Sequence, residues 1–163
     1  VIIDVSSASG LKELLRDKKT PFIPLVIGTT GDLPMKEIEN YAKNAPVAIC
    51  PNFSRGVPLL DKLCNIIKEE NDWDISLTEM HHTQKKDMPG GTALKIGKSL
   101  GIETEKISCI RLGDVIGEHT INLSSEGERI EIKHTVTDRE IFSKGALRIA
   151  DWLVDQKNGL YHI

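Results

Sequence analysis

The sequence predicts an α/β protein in which a segment of parallel β-sheet is followed by a part with a different pattern. In the first third of the 163 residues, short runs of branched apolar residues alternate with amphipathic stretches, which is typical of parallel strands joined by crossover helices. Between residues 107 and 136, strand-like segments are separated by turns that contain glycine, which favours antiparallel hairpins. An apolar helical stripe at residues 140–155 comes next.

The elements are predicted from periodicity and from turn residues. In the first third, strands are expected at residues 1–5, 23–27 and 47–50, and helices at 11–19 and 34–44. The second part is expected to contain a helix at 57–70, a strand at 74–80, a helix with Ala93, Ile96, Gly97 and Leu100 on one face, and strands at 107–111, 119–123 and 129–136. The final helix is expected to bury Phe142, Ala146, Leu147, Ala150, Leu153 and Val154, and Gly159 is expected to end the segment after this helix.

Composition excludes several classes of protein. With 39% hydrophobic and 28% charged residues the chain is a globular protein, and its net charge of -3 with dispersed basic residues argues against a nucleic-acid partner. The sequence lacks an apolar run of the roughly 18 residues that a membrane span needs, and its first residues lack the basic start and the small-residue cleavage site of a signal peptide. Three widely spaced cysteines suit reduced thiols. We therefore predict a cytoplasmic protein.

Residues 79–93 concentrate the groups that carry chemistry. His81 can supply a proton near neutral pH, and Lys85 can neutralise a carboxylate; both are expected in a solvent-facing loop. The turn at 90–92 before a helix offers backbone N–H groups to an anion. From the residues alone, an equally good interpretation is that Thr92 is an N-cap, the glycines form a turn and the histidines lie in a solvated loop.

A metal site is not predicted. The residues that suggest zinc are His81, His82, His119, His134 and Cys109. No pair of them has the short spacing of structural zinc ligands. His119 and His134 are expected to be strand residues with local partners.

The segment resembles the His-His-x-x-Lys-x-Asp-x-Pro-x-Gly-Thr-Ala motif of the dihydrodipicolinate reductase family. Further matches in the same order are Gly28-Thr29-Thr30-Gly31, Pro51-Asn52-Phe53-Ser54, Gly113-Asp114-Val115-Ile116-Gly117-Glu118-His119-Thr120, and the run from Gly127 through Arg139 and Phe142 to Leu147. Gly90 and Met88 depart from the family's usual Ser and Ala. The resemblance runs nearly from end to end.

The resemblance implies an NAD(P)H-dependent reduction of dehydrated 4-hydroxy-tetrahydrodipicolinate in the diaminopimelate and lysine pathway. By this resemblance His81 is the catalytic acid, Lys85 assists protonation, and the substrate carboxylates are bound by His82, Gly91 and Thr92. The nicotinamide end of NADPH or NADH is expected at Gly28, Thr29, Thr30, Cys50, Pro51, Asn52 and Phe53, with Arg139 and Phe142 near the cofactor.

The expected fold is a truncated Rossmann-like nucleotide-binding lobe plus an α+β substrate and oligomerisation lobe with an open mixed sheet. The first lobe is expected at residues 1–53 and 139–163 and the second at 54–138. The resemblance implies a homotetramer, and an open sheet face that is expected to be apolar makes association physically reasonable. No Gly-x-Gly-x-x-Gly occurs in the sequence, and the family's Gly-rich turn is expected before Val1. An alternative is therefore a non-catalytic family member that binds a dicarboxylate or oligomerises.

Overall fold

The structure is a computed structural model that describes residues 1–70 and 72–163. The chain forms two compact units, one made of residues 1–53 and 140–163 and the other of residues 54–139. The elements, in chain order, are β1 (Ile2–Asp4), α1 (Ala8–Arg16), β2 (Leu25–Ile27), α2 (Met35–Ala42), β3 (Pro46–Ile49), α3 (Gly56–Ile67), β4 (Asp74–His81), α4 (Gly91–Leu100), β5 (Ser108–Arg111), β6 (Gly117–Ser125), β7 (Glu128–Val136), α5 (Glu140–Val154) and β8 (Gly159–His162).

The first unit is a parallel sheet with helices on both faces. Its strand order is β1-β2-β3-β8, and every adjacent pair is parallel. Residues of α1 and α2, such as Leu11 and Ile38, pack on one face of the sheet. Residues of α5, such as Ile149 and Leu153, pack on the other face. Because both faces are covered, β2 and β3 are buried throughout, which explains their uninterrupted apolar sequences.

The prediction for Gly159 was wrong. It was expected to end the segment that follows the last helix, but it begins a further strand, β8, which pairs in parallel with β3. The strand has only four residues, and its first is a glycine at φ 153°. A segment this short shows no periodicity, so the parallel partner that makes it a strand is not visible in the sequence.

The second unit is a mixed sheet with the order β5-β4-β6-β7. Helices α3 and α4 cover one face, where Leu60, Cys64, Leu77, Ile96 and Ile121 form the centre of the core. The predicted buried face of α4 is confirmed, since its buried residues are Ala93, Ile96, Gly97 and Leu100. The predicted combination of a Rossmann-like parallel sheet with an open mixed sheet is therefore present in the structure.

The prediction of antiparallel hairpins holds for only one pair of strands. Strands β6 and β7 form an antiparallel hairpin, but β5 pairs in parallel with β4. The chain reaches β5 from β4 through α4, and a crossover through a helix returns the chain in the same direction. The glycine after β5 therefore does not form a hairpin turn.

Two helices and one sheet face differ from the predicted burial. In α5, Leu147 and Val154 are exposed, and Gly145 and Ile149 take part in the buried stripe instead. The helical spacing of Leu59, Leu60, Leu63, Cys64 and Ile67 predicts that α3 buries this face, but Leu59 is exposed. The uncovered face of the second sheet carries mainly polar residues, namely Thr78, Glu118, Thr120, Asn122 and Lys133, together with Met80 and Ile110. The expectation of a large apolar sheet face was therefore wrong.

Within residues 1–70 and 72–163, none of the helices combines the length and the apolar character needed to cross a membrane.

Candidate active site at the end of strand β4

A buried carboxylate and an imidazole lie on the same face of strand β4, just before the loop at 82–90. Glu79 and His81 are two residues apart on β4, so their side chains point to the same side of the sheet. The Glu79 side chain is fully buried and that of His81 is 13% exposed, and Glu79 Oε2 lies 3.1 Å from His81 Nδ1. His81 thus ends a strand with its ring enclosed, and the prediction of a solvent-facing loop residue was wrong for it.

Arg111 completes this buried group from the neighbouring strand. Parallel pairing places Arg111 directly beside His81. Its Nη2 donates to Glu79 Oε1 at 2.8 Å, and the Gly90 N–H donates to the same oxygen at 3.1 Å. Arg111 also donates to the carbonyl oxygens of Lys85 and Asp87 in the loop. One guanidinium therefore connects strand β5, the carboxylate on β4 and the loop after β4.

The pKa values of Glu79 and His81 both lie below their ordinary values, for different reasons. Burial raises the pKa of Glu79, but hydrogen bonds from Arg111 and Gly90 and the charges of His81 and Arg111 together outweigh it. Burial lowers the pKa of His81; the charge of Glu79 opposes this, and those of Lys85 and Arg111 reinforce it. Near neutral pH the site therefore combines an ionised carboxylate with a neutral imidazole that is a stronger acid than usual once protonated.

Lys85 lies in the loop beside this group. Its Nζ donates to both carboxylate oxygens of Asp87 at 2.7 and 2.8 Å, and this hydrogen bonding lowers the pKa of Asp87. The Lys85 side chain is only 23% exposed, so it faces solvent less than the sequence predicted. A Cβ added at Gly90 would lie 2.9 Å from Lys85 Cε and 3.0 Å from Glu79 Oε2. The glycine thus leaves room for both the Lys85 side chain and the Glu79 carboxylate at the start of α4.

The start of helix α4 differs from both sequence interpretations. The N-cap is Gly90, not Thr92, and Gly91 and Thr92 are the first two helical residues. The Gly90 N–H is bound by Glu79, so it is not available to an anion. Gly91 and Thr92 lie at the N-terminal end of α4, directly after the Gly90 that binds Glu79. This end of a helix is positively polarised, so it favours a carboxylate.

His82 lines a cavity of about 360 Å³ whose lining includes neither His81 nor Lys85. The other lining residues are Thr83, Gln84, Gly113, Asp114, Ile116 and Arg139. Arg139, which the sequence placed near a cofactor, therefore lies with His82 in the second unit. Two potentially cationic side chains in one cavity suit an anionic group of a ligand.

Three imidazoles form a row across the sheet behind the site. His119 lies opposite Glu79, and His134 lies opposite His119. The ring centroids of His81 and His119 are 5.5 Å apart and those of His119 and His134 are 6.2 Å apart. His134 Nε2 lies 3.3 Å from Ser54 Oγ, but neither ring nitrogen of His119 has a hydrogen-bond partner among the described residues. The expected local partner is thus missing for His119, whose pKa burial lowers to about 4.

Glu79, His81 and His119 bring potential metal-ligand atoms within 4.8 Å of one another. Ligands of a tetrahedral zinc ion, at about 2.0–2.2 Å from the metal, lie roughly 3.4 Å apart. In addition, the Arg111 guanidinium already binds the carboxylate. This donor set suits proton transfer better than zinc binding, and the absence of a metal remains a prediction.

The residues predicted to bind a cofactor lie on two adjacent turns of the first unit. The turns follow β2 and β3, at the carboxyl edge where ligands bind to open parallel sheets. Thr30 and Pro51 are exposed there and Gly28 and Asn52 are partly exposed, whereas Thr29, Cys50 and Phe53 are buried. Thr29 Oγ1 donates to Asp4 Oδ2 at 2.5 Å, and the Phe53 ring packs where a Gly28 Cβ would be. Phe142 belongs to the core of this unit.

Comparison with known proteins identifies the family. The family model for the N-terminus of dihydrodipicolinate reductase matches residues 1–53, and the model for its C-terminus matches residues 56–163. The chain belongs to the dihydrodipicolinate reductase family.

Relatives and a solved structure of the family are similar over nearly the whole chain. The 4-hydroxy-tetrahydrodipicolinate reductase of Campylobacter lari is 38% identical, covering 100% of this chain and 78% of the relative. That of Thermosipho africanus is 41% identical, covering 99% and 75%. The dipicolinate-bound dihydrodipicolinate reductase of Paenisporosarcina sp. TG-14 is 22% identical, has a TM-score of 0.75 and covers 98% of this chain and 70% of that one. The last comparison supports the fold.

Family membership accounts for the segment at 79–93, but sequence reasoning missed Arg111, which lies beside it in the second unit, and Asp4, which lies beside the predicted cofactor turns in the first unit. Arg111 was recognised only as the end of a strand, although a charged residue at a strand end was a usable signal. Asp4 was assigned to an apolar strand, yet it is buried and bound by Ser6 and Thr29. Arg111 meets Glu79 through the pairing of β5 with β4, and Asp4 meets Thr29 through the pairing of β1 with β2, so both contacts join distant segments.

Proposed function

We propose that the protein catalyses the NAD(P)H-dependent reduction of dehydrated 4-hydroxy-tetrahydrodipicolinate to tetrahydrodipicolinate, in the diaminopimelate and lysine pathway. One observation carries the proposal: in a member of this reductase family, the enclosed His81 lies against a buried carboxylate, and the charge of Lys85 acts on the same imidazole. An acid next to a cation suits the reduction of an anionic substrate.

The second unit supplies the groups for the substrate. Lys85 places an ammonium beside His81, and His82, Gly91 and Thr92 are proposed to bind the two carboxylates. His81 gives one proton to the substrate, and the hydride supplies two electrons and the second hydrogen, so that one unsaturated bond is reduced. The negative charge of a bound dicarboxylate raises the pKa of His81 from its lowered value and so favours the protonated acid.

The first unit is proposed to bind the cofactor, which when bound supplies the hydride. The accessible groups for it are Thr30, Pro51 and parts of Gly28 and Asn52. Thr29, Cys50 and Phe53 are buried beneath the two turns and support them. Cys50, for example, donates from its N–H to Ile27 O and from Sγ to Asn52 O. Both NADPH and NADH suit this proposal.

The test measures oxidation of NADPH and NADH by absorbance with freshly generated substrate and the purified chain. We expect substrate-dependent oxidation that Lys85→Ala reduces strongly, mainly through KM, because the ammonium beside the carboxylates is lost. The matched control is Lys86→Ala, which removes an exposed ammonium one residue away and should change little. Equal effects of the two variants would contradict the role of Lys85.

A second candidate is a non-catalytic family member that binds a dicarboxylate. The observation that favours it is that the groups proposed for the carboxylates, His82, Gly91 and Thr92, all lie in the second unit, which is compact by itself. Calorimetric titration with dipicolinate separates the candidates. Binding of dipicolinate without oxidation of either nucleotide would support the second candidate, whereas turnover would refute it.

Two further properties are proposed from family resemblance. A homotetramer is proposed, although the uncovered face of the second sheet is largely polar and must associate through polar contacts. Light scattering of the purified chain measures its mass directly. A cytoplasmic location is also proposed, because three widely spaced cysteines suit a reducing compartment.

A further inference from the structure

The Glu79–Arg111 ion pair is buried at a place where neither the fold nor the packing of the core needs charged residues. The Glu79 side chain is fully buried and that of Arg111 is 11% exposed. Burying two charges costs more desolvation free energy than packing apolar residues of the same size, so such a pair is weak evidence for stability. The pair lies between His81, the proposed acid, and the loop at 82–90. This position indicates a role in the site.

The two carboxylate oxygens of Glu79 have separate partners. Oε1 accepts from Arg111 Nη2 and from the Gly90 N–H, which fixes the carboxylate between β5 and the start of α4. Oε2 remains directed at His81 Nδ1, 3.1 Å away. Neither atom has a hydrogen-bond partner among the described residues, so the two meet as a close ion-pair contact. Because an ionised carboxylate is only an acceptor, this contact is favourable when Nδ1 carries a proton and unfavourable when it does not.

The opposite ring nitrogen of His81 lies over a glycine. A Cβ added at Gly117 would lie 3.1 Å from His81 Nε2, so the glycine makes room for that side of the ring. With the proton on Nδ1, Nε2 is the nitrogen that remains to exchange a proton with a substrate.

Arg111 holds the loop after β4 through hydrogen bonds, and the contact with Glu79 holds the His81 ring. Its Nε donates to Lys85 O at 3.2 Å and its Nη2 to Asp87 O at 2.5 Å, while Nη1 donates to Ile110 O at 2.9 Å. A planar guanidinium can make these bonds together with the Glu79 contact, which a lysine ammonium at the same place cannot reproduce. The backbone on either side of Lys86 is thereby anchored to β5.

We infer that Glu79 and Arg111 are positioning residues of the site, Glu79 orienting the His81 ring with the proton on Nδ1 and Arg111 holding the loop that carries Lys85. The inference deepens the proposed function and rests on it for the part that concerns turnover. The part that concerns the ring is a property of the free protein.

The charges around His81 give the direction of the expected change. Glu79 is the closest negative charge, and Asp87 is the other; Lys85 and Arg111 are positive, and the His119 ring lies 5.5 Å away. On β6, Glu118 is paired with Lys133 at 2.6 Å. Replacing Glu79 by Gln removes the principal charge that stabilises the imidazolium, so the pKa of His81 should fall further below its ordinary value.

The first measurement uses the unmodified chain. Nitrogen-15 NMR of the histidine rings above the pKa of His81 reports which nitrogen holds the proton. We expect His81 to carry it on Nδ1, and a proton found on Nε2 would overturn the inference. Because this measurement needs no turnover, an inactive chain would count against the proposed function and leave the inference testable.

The second measurement compares Glu79→Gln and Arg111→Lys with Glu118→Gln, which removes the charge of another ion pair of the same sheet. In Glu79→Gln the ring proton should move towards Nε2 and the pKa of His81 should fall, and Glu118→Gln should change neither. Misplacing a reacting group by about 1 Å can cost roughly 10²-fold in rate, so kcat should fall by about that factor in Glu79→Gln and Arg111→Lys, with a smaller change in KM. A folded Glu79→Gln with an unchanged ring tautomer and pKa would refute the inference.

Discussion

His119 makes the stability of the second unit depend on pH over a defined range. The residue is 4% exposed, and burial lowers its pKa from an ordinary 6.5 to about 4. Above pH 6.5 the imidazole is neutral in both states. As the pH falls, the unfolded chain takes up a proton near pH 6.5, but the folded chain does so only near pH 4. Stability is therefore lost between pH 6.5 and 4, and the shift corresponds to about 3 kcal/mol.

The assay is urea unfolding between pH 7.5 and 4 in a Trp152→Phe background, so that Trp73, which packs against the core of the second unit, reports the transition. His119→Asn should be less stable overall, because the buried ring is lost. Between pH 7.5 and 4, however, its unfolding free energy should fall by up to about 3 kcal/mol less than that of the unmodified chain. The control is His162→Asn, which replaces an exposed histidine of β8. The same pH dependence in His119→Asn and the unmodified chain would refute the reasoning.

Two further changes test the packing of each unit. Leu77→Ala removes a fully buried side chain at the centre of the second sheet and should lower the unfolding free energy by about 3–5 kcal/mol, measured by the same urea assay, whereas a loss below about 1 kcal/mol would contradict the packing. Gly28→Ala places a Cβ 2.5 Å from Phe53 Cε2 and should cost the first unit about 1–3 kcal/mol in thermal unfolding, and a neutral effect would show that the ring does not occupy that space.

The sequence predicted the fold class because periodicity survives in the longer elements. The strand predicted at 74–80 is present as β4, and Leu77 and Glu79 lie on its buried face. Local patterns do not encode strand partners, however. The parallel pairing of β5 with β4 and the short β8 depend on contacts with distant residues, and both were missed for this reason.

The density of functional groups in residues 79–93 was enough to locate the candidate site. The contacts between its residues could not be predicted in this way. His81 and Lys85 stand in one short segment, so a motif reveals them together. Arg111 is 32 residues from Glu79, and its role exists only because β5 lies beside β4. The enclosure of His81 likewise comes from Glu79 and from neighbouring strands, which explains why a loop residue was expected there.

The account's central claim is that His81 gives a proton to a bound dicarboxylate, and the turnover of His81→Gln tests it most directly. General acid catalysis contributes about 10²–10⁴-fold, so substrate-dependent oxidation of the nicotinamide cofactor should fall by a factor in that range while calorimetry still detects binding of dipicolinate. Turnover equal to that of the unmodified chain would contradict the claim.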